Sequence, residues 1–242
     1  MGIIGTDVAR ESSAMVLADD NFASIVNAIE EGRTVFTNTR QASSFLVTTN
    51  FAEDLSIITA LLLGFPLPLL PTHILWLNLV TDGVSDVALA AEPSHEDVLE
   101  ELPRKKEENI LSREIVPFIL IMASIMTILT VTVFNAYLPS GIEKARTGVF
   151  AIMAFTQLFN VLNMRSLKKS VFKIGFFSNK FIIASLTASV VLLVIILYVP
   201  FFQRVFQFAP LGLLKLLIII LLSSLVLWIG ELYKHLKNKY FA

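Results

Sequence analysis

Four acidic side chains lie inside two strongly apolar stretches of the sequence. They are Glu53 and Asp54 in the first stretch, and Asp82 and Asp86 in the second. A carboxylate inside a bilayer is costly unless it is paired, hydrated or used, so such acids are candidates for function. The chain has no cysteine, which excludes disulfides and thiolate metal sites. A metal site here would therefore be built from oxygen ligands.

The acids share helical faces with amide and hydroxyl side chains. Asn50 and Glu53 lie three residues apart, and the second stretch places polar residues at i, i+3, i+4 and i+8, namely Asn78, Thr81, Asp82 and Asp86. Residues three or four apart lie on the same side of a helix. The short proline-rich turn 65–71 makes the two helices antiparallel neighbours. Their facing oxygens predict a site for a hard cation.

A glycine follows the central acid of this pattern. Gly83 comes directly after Asp82, and a glycine in a membrane helix permits local unwinding that frees backbone carbonyls as further ligands. Two of the neutral residues, Asn50 and Thr81, have an alternative role as interhelical hydrogen-bonding groups. The combination of Glu53 with Asp82 favours an ion site.

The remaining polar residues leave alternatives open. Asp54 points about 100° away from Glu53 on an ideal helix, so an outward hydrogen bond or a water-filled crevice is an alternative to ligation. Asp86 is either a further ligand or proton carrier, or a hydrated residue near the cytosolic mouth. A polar stripe that either packs helices or lines the site consists of Thr156, Gln157, Asn160 and Asn163. Three histidines without a partner at ligand spacing are predicted at surfaces or interfaces: His73, His95 and His235.

The elements that must position these residues are membrane helices. The composition is 55% hydrophobic and 16% charged, with a mean hydropathy of +0.73, which is typical of a membrane protein. A spanning helix needs roughly 20 mostly apolar residues. Six runs fit, at about 44–64, 72–91, 116–138, 148–164, 181–202 and 211–232. We therefore predict an all-α, six-span fold in a lipid bilayer.

Charge along the chain predicts the orientation. The connectors 92–114 and 165–180 and the tail are rich in lysine and arginine, whereas the connectors on the opposite side are poor in them. Basic loops stay in the cytosol, so both termini are predicted there. The net charge of −1, without a basic patch, gives no indication of nucleic-acid binding. The short loops favour a bacterial cell membrane.

The first part of the chain differs in kind from the rest. Residues 5–12 read as a polar helix, 14–18 as a strand and 21–31 as an amphipathic helix. This α/β segment, 1–31, is too small to bury a core of its own. Residues 32–43 contain no proline, so a stalk helix could run unbroken from the cytosol into a membrane domain, 44–242.

Three stretches resemble the calcium-pump branch (type II) of the P-type ATPases. They are Met-Gly-Ile-Ile-Gly-Thr-Asp-Val-Ala with Met-Val-Leu-Ala-Asp-Asp-Asn-Phe in 1–22, Thr-Asn-Phe-Ala-Glu in 49–53, and Leu-Trp-Leu-Asn-Leu-Val-Thr-Asp-Gly in 75–83. The resemblance implies that 1–31 ends a HAD-like phosphorylation domain. It also implies that the spans correspond to the fifth through tenth membrane helices of the family.

The resemblance further implies a ligand set. One calcium site would use Asn50, Glu53, Thr81 and Asp82, while Asn78 and Asp82 would belong to a second. Gln157 stands where the family has an acid, so stoichiometry and ion identity stay open. Manganese, sodium, potassium or proton-linked exchange are alternatives to calcium.

The catalytic motifs of the family are not found in this sequence. Neither Asp-Lys-Thr-Gly-Thr nor Gly-Asp-Gly-x-Asn-Asp occurs, so no residue is assigned to catalysis, and Mg²⁺ and ATP would be bound by the intact parent only. The resemblance implies the translocation module of an ATP-driven pump that exports Ca²⁺ and cannot hydrolyse ATP alone. Met1 resembles an internal methionine, as in a fragment, a miscalled start or a natural half-gene. The alternatives are a half-pump or regulator of a separate ATPase chain, with the amino-terminal domains in cis or in trans, and an autonomous six-helix channel or carrier.

Overall fold

Helices form all the regular secondary structure of residues 1–94, 98–99 and 109–240, which the computed structural model describes. No strand occurs within these ranges. The elements in chain order are α1 (Asp7–Ser12), α2 (Ala23–Leu62), α3 (Pro71–Trp76), a π-helical segment (Leu77–Asp82), α4 (Gly83–Ala90), α5 (Val116–Tyr137), a 3-10 turn (Leu138–Ser140), α6 (Ile142–Met164), α7 (Val171–Ile174), α8 (Lys180–Tyr198), α9 (Pro200–Phe206), α10 (Leu213–Ser223) and α11 (Leu225–Tyr240).

Five helices in the described ranges are long and apolar enough to cross a membrane. They are Ala23–Leu62, Val116–Ser140, Ile142–Met164, Lys180–Tyr198 and Leu213–Tyr240. The prediction of an integral, multi-pass membrane protein is thereby supported, and five of the six predicted spans coincide with these helices. The predicted span 72–91 is helical from residue 71 to residue 90 but is not one of the five, so the sixth span stays a prediction.

The predicted strand at 14–18 is wrong, and with it the α/β character of the amino-terminal segment. Among the described residues the segment has no neighbouring strand to complete a ladder, and an isolated extended stretch cannot satisfy its backbone groups. Leu17 instead accepts a hydrogen bond from the Gly2 backbone N–H at 2.7 Å. The Asp20 carboxylate holds the same turn by accepting the N–H groups of Ile3 and Ile4 at 3.1 and 2.9 Å.

The predicted amphipathic helix and the stalk are parts of one continuous helix. Helix α2 runs for 40 residues without a break, which corresponds to about 60 Å. No proline interrupts it. A single rigid element therefore connects the amino-terminal segment with the residues of the first apolar stretch.

Helix α6 is the centre of the bundle. It is almost completely buried and packs against α2, α4, α5, α8, α10 and α11. A helix surrounded on all sides by protein cannot send its polar side chains to lipid or bulk water. The polar residues of α6 must therefore find partners inside the bundle.

Candidate cation site

The polar residues of the second stretch lie on the π-helical segment Leu77–Asp82. The Gly83 backbone N–H donates to the Asn78 carbonyl, five residues earlier, so the turn is wider than in an α-helix. Gly83 itself has ordinary helical angles. The sequence predicts that the helix can unwind at this glycine. The structure has a widened but continuous helical turn instead. Single π turns of this kind occur frequently at functional sites.

Asp82 is completely buried at the end of this segment. Its Oδ2 accepts a hydrogen bond of 2.7 Å from Thr49 Oγ1 on α2. Its Oδ1 is buried and has no hydrogen-bond partner among the described residues. One carboxylate oxygen of Asp82 is therefore hydrogen-bonded within the protein, and the other is unpaired in the part of the chain that the structure describes.

Glu53 is held in a similar way from the opposite side. Its side chain is 2% exposed, and Oε1 accepts a hydrogen bond of 2.7 Å from Gln157 Nε2 on α6. Glu53 lies one helical turn after Thr49, about 6 Å along α2. Because Thr49 contacts Asp82, the two acids lie near each other between α2, α6 and the π-helical segment. These three elements pack pairwise.

Several buried side-chain oxygens without a partner among the described residues lie on the π-helical segment, on α4 and on α6. Within the described ranges, the buried oxygens without a partner include Asn78 Oδ1, Asp82 Oδ1, Asp86 Oδ1, Gln157 Oε1 and Asn160 Oδ1. Buried polar atoms are normally hydrogen-bonded, so a group of exceptions calls for a ligand or ordered water. No cluster of three or more His, Cys, Asp or Glu side chains occurs in the described part. The acids of the group are accompanied by amide and hydroxyl side chains.

Comparison with known proteins identifies the family. Residues 66–236 match the family described as cation transporting ATPase, C-terminus. The chain belongs to this family.

Individual relatives extend the match to almost the whole chain. Calcium-transporting ATPase 1 of Bacillus cereus is 37% identical over 256 residues, covering 98% of this chain and 29% of that protein. Calcium-transporting ATPase type 2C member 1 of Mus musculus is 36% identical over 240 residues, covering 98% and 26%. The chain spans about a quarter of the length of these relatives. The resemblance to the C-terminal region of a P-type calcium ATPase is confirmed.

The predicted ligands differ in how deeply they are buried. Thr81 is buried, Asn78 and Asp86 are half-buried, and Asn50 is exposed. The Asn50 amide donates to the Leu46 carbonyl of its own helix at 2.8 Å. Asp54 is exposed, as expected if it points away from Glu53. Ligation of a cation by these residues stays a prediction.

Two features escaped the reading of the sequence. Thr49, the donor to Asp82, was not predicted as a site residue, although its place one turn before Glu53 could have indicated it. His73, predicted at a surface or an interface, is fully buried where α3 packs against other helices, and the contact of 2.7 Å between its Nε2 and the Phe206 carbonyl was not predicted. His235 is exposed, and His95 lies outside the described residues.

Proposed function

We propose that this chain forms the cation-binding part of the membrane domain of an ATP-driven pump that moves Ca²⁺ out of the cytosol. The observation that carries the proposal is the buried pair of acids, Glu53 and Asp82, each fixed through one oxygen by a neutral donor from another helix. Calcium-transporting relatives that match 98% of the chain favour calcium as the cargo.

The oxygens available in the group suit a hard cation. Ca²⁺ takes six to eight oxygen ligands in flexible geometry, and carboxylates, amide carbonyls and hydroxyls all serve. The free Oδ1 of Asp82 and the free Oε1 of Gln157 are the first candidates. Glu53, Asn78 and Thr81 would add to them. The rest of the shell would come from water or from another helix of the pump.

The hydrogen bonds to Glu53 and Asp82 also make the position of both acids depend on the spacing of the helices. Thr49 and Gln157 each hold a carboxylate oxygen at 2.7 Å, so a change in the spacing of α2, α6 and the π-helical segment would alter both acids at once. A pump needs a site whose affinity differs between two arrangements of its helices. We infer that tight and weak binding correspond to closer and wider spacing of these three elements.

The energy would come from domains that bind ATP and Mg²⁺, in the same polypeptide or in a second chain. Helix α2 extends over 30 residues from Ala23 to Glu53, about 45 Å, so movement at its amino-terminal end can reach the acids. The amino-terminal segment exposes large apolar side chains at Ile3, Ile4, Val8 and Phe22. This pattern supports packing of the segment against a phosphorylation domain, with both termini in the cytosol.

The test is ATP-dependent uptake of ⁴⁵Ca²⁺ into inside-out membrane vesicles, with the cytosolic domains supplied in the same polypeptide or as a co-expressed chain. We expect Glu53→Gln and Asp82→Asn to abolish uptake, because each leaves the cation one carboxylate short. The matched control is Glu143→Gln, which removes an exposed acid of α6 and should leave uptake unchanged. Wild-type uptake in both site variants would refute the proposal.

Further transport measurements distinguish a pump from the alternative functions. Calcium flux through liposomes that contain only this chain, without nucleotide, would indicate an autonomous channel. Uptake that requires a second chain carrying the cytosolic domains would indicate a half-pump. Competition by Mn²⁺, Na⁺ or K⁺ in the uptake assay identifies the transported ion.

A further inference from the structure

A buried ion pair lies at the end of the helices that carry the candidate cation site. Arg165 donates to Glu92 Oε1 from Nε at 2.9 Å and from Nη2 at 2.7 Å. Asn179 Nδ2 donates to the other oxygen, Oε2, at 2.6 Å. Both charged side chains are at most 2% exposed. The carboxylate of Glu92 is thus enclosed on both sides.

The guanidinium of Arg165 is satisfied as fully as the carboxylate. Its Nη1 donates to the Gly175 carbonyl at 2.9 Å, and its Nη2 donates to Ser178 Oγ at 2.5 Å. Each of its three nitrogens is therefore engaged. A charge-assisted network of this kind has one well-defined geometry. It contrasts with the candidate cation site, where oxygens of Asp82 and Gln157 lack partners in the described part.

The pair joins the three elements that form the site. Glu92 follows α4 by two residues, and Arg165 directly follows α6. Asn38 of α2 donates to the Ala90 carbonyl at 3.1 Å and to the Glu92 carbonyl at 2.7 Å. The continuations of the helices that carry Glu53, Asp82 and Gln157 thus meet in one network.

Distance along the helices excludes direct ligation by the pair. Asp82 lies ten residues before Glu92, and Gln157 lies eight residues before Arg165, which corresponds to about 12 to 15 Å of helix. A movement of one helix end is nevertheless transmitted along a rigid helix to the acids. Small changes in ligand position are costly for a preorganised site.

We propose that Glu92 and Arg165 are positioning residues that fix the spacing between the Asp82 helix and the Gln157 helix, and thereby the cation affinity. The inference rests on the proposed function. A buried ion pair contributes little to stability compared with apolar packing, so its presence here calls for another role. Its two charges fix one register between the helix ends, which apolar side chains would not do as strictly.

The experiment measures the Ca²⁺ dependence of ATP-dependent uptake, as half-saturating concentration and maximal rate, in the complete pump. Glu92→Gln keeps the shape of the side chain and removes its charge. We expect it to raise the half-saturating Ca²⁺ concentration about tenfold and to change the maximal rate less than twofold per folded molecule. Arg165→Met should do the same. The double variant should lie close to the worse single variant, because both substitutions break one interaction.

A second buried ion pair provides the matched control. Lys234 Nζ lies 2.9 Å from Glu231 Oε1, both on α11. Glu231→Gln removes a buried charge without touching the Asp82 helix, so it should lower thermal stability and leave the half-saturating Ca²⁺ concentration unchanged. If Glu92→Gln and Glu231→Gln changed the half-saturating Ca²⁺ concentration equally, the inference would be overturned. An unchanged half-saturating Ca²⁺ concentration in Glu92→Gln would overturn it as well.

A milder variant keeps the inference testable if Glu92→Gln does not fold. Asn179→Asp keeps the oxygen that accepts the Phe181 and Ile182 N–H groups at the start of α8, removes one neutral donor from Glu92 Oε2 and leaves the Glu92–Arg165 contacts in place. We expect this variant to raise the half-saturating Ca²⁺ concentration about threefold. An unchanged half-saturating concentration would overturn the inference. Failure of the proposed function is recognised separately, because wild-type vesicles would then take up no Ca²⁺ or Asp82→Asn would behave as wild type.

Discussion

Gln157→Glu places a third carboxylate in the candidate cation site. The side-chain nitrogen that it replaces donates to Glu53 Oε1 at 2.7 Å, so the substitution converts an attractive contact into a contact between two carboxylates. The side-chain oxygen of Gln157, Oε1, is buried and unpaired within the described ranges. The variant therefore changes charge at a position where a cation would be bound, with almost no change in volume.

The expected effect follows from the charges. Two unit charges with centres about 4 Å apart repel by about 4 kcal/mol at an effective dielectric constant of 20, whereas a doubly charged cation at the same distance attracts the added charge by about 8 kcal/mol. Hydration and side-chain rearrangement in the cation-free state offset part of the difference. We therefore expect Gln157→Glu to tighten Ca²⁺ binding by about ten- to a hundredfold, or about 1.4 to 2.8 kcal/mol.

The assay is equilibrium binding of ⁴⁵Ca²⁺ to the purified chain in lipid nanodiscs. Thermal unfolding with and without Ca²⁺ provides a second readout, since a ligand of the folded state raises the melting temperature. Gln203→Glu is the matched control: Gln203 also donates a hydrogen bond of 2.7 Å, but to the Leu197 carbonyl in a different part of the bundle. Unchanged or weaker Ca²⁺ binding in Gln157→Glu would refute the placement of Gln157 beside the bound cation.

Two further predictions concern stability and are checked by thermal unfolding in the same nanodiscs. Gly230→Ala should destabilise the bundle by about 1 to 3 kcal/mol, because the added methyl group would overlap the side-chain amide of Asn163; a melting temperature equal to that of the wild type would contradict this close packing. His73→Leu should cost about 1 to 3 kcal/mol for each group left unpaired, namely the Phe206 carbonyl and the Leu70 N–H, whereas an unchanged melting temperature would show that neither bond contributes.

The sequence predicted the membrane helices well because they depend on composition over long windows. Five of the predicted spans coincide with helices, and the absence of proline correctly indicated the continuous helix α2. The strand at 14–18 was wrong because a strand requires a neighbour, and the pattern of a short apolar run contains no information on pairing. The widened turn at Leu77–Asp82 was not predicted either, since one π turn is too short to change the periodicity of the helix around it.

The candidate cation site, like the fold, was predicted only in part from the sequence. Helical spacing was sufficient to place Glu53 and Asp82 on faces that can meet, and the cost of buried acids indicated their importance. Spacing along one helix could indicate that Thr49 and Gln157 face the site, but not which acid each one contacts, because each contact joins residues far apart in sequence. Asn50 shares the spacing of Glu53 but is exposed, so its role as a ligand stays a prediction.

The distribution of satisfied and unsatisfied polar groups separates structure from function in this bundle. At the helix ends, the buried charges of Glu92 and Arg165 have hydrogen-bond partners on all sides. Two to three helical turns nearer the site, oxygens of Asp82 and Gln157 have none within the described residues. Unpaired buried oxygens are costly, so those beside Glu53 and Asp82 are candidates for ligands of a cation. We propose that a cation completes the unpaired oxygens of Asp82 and Gln157, and that the paired charges of Glu92 and Arg165 hold the helices of that site in position.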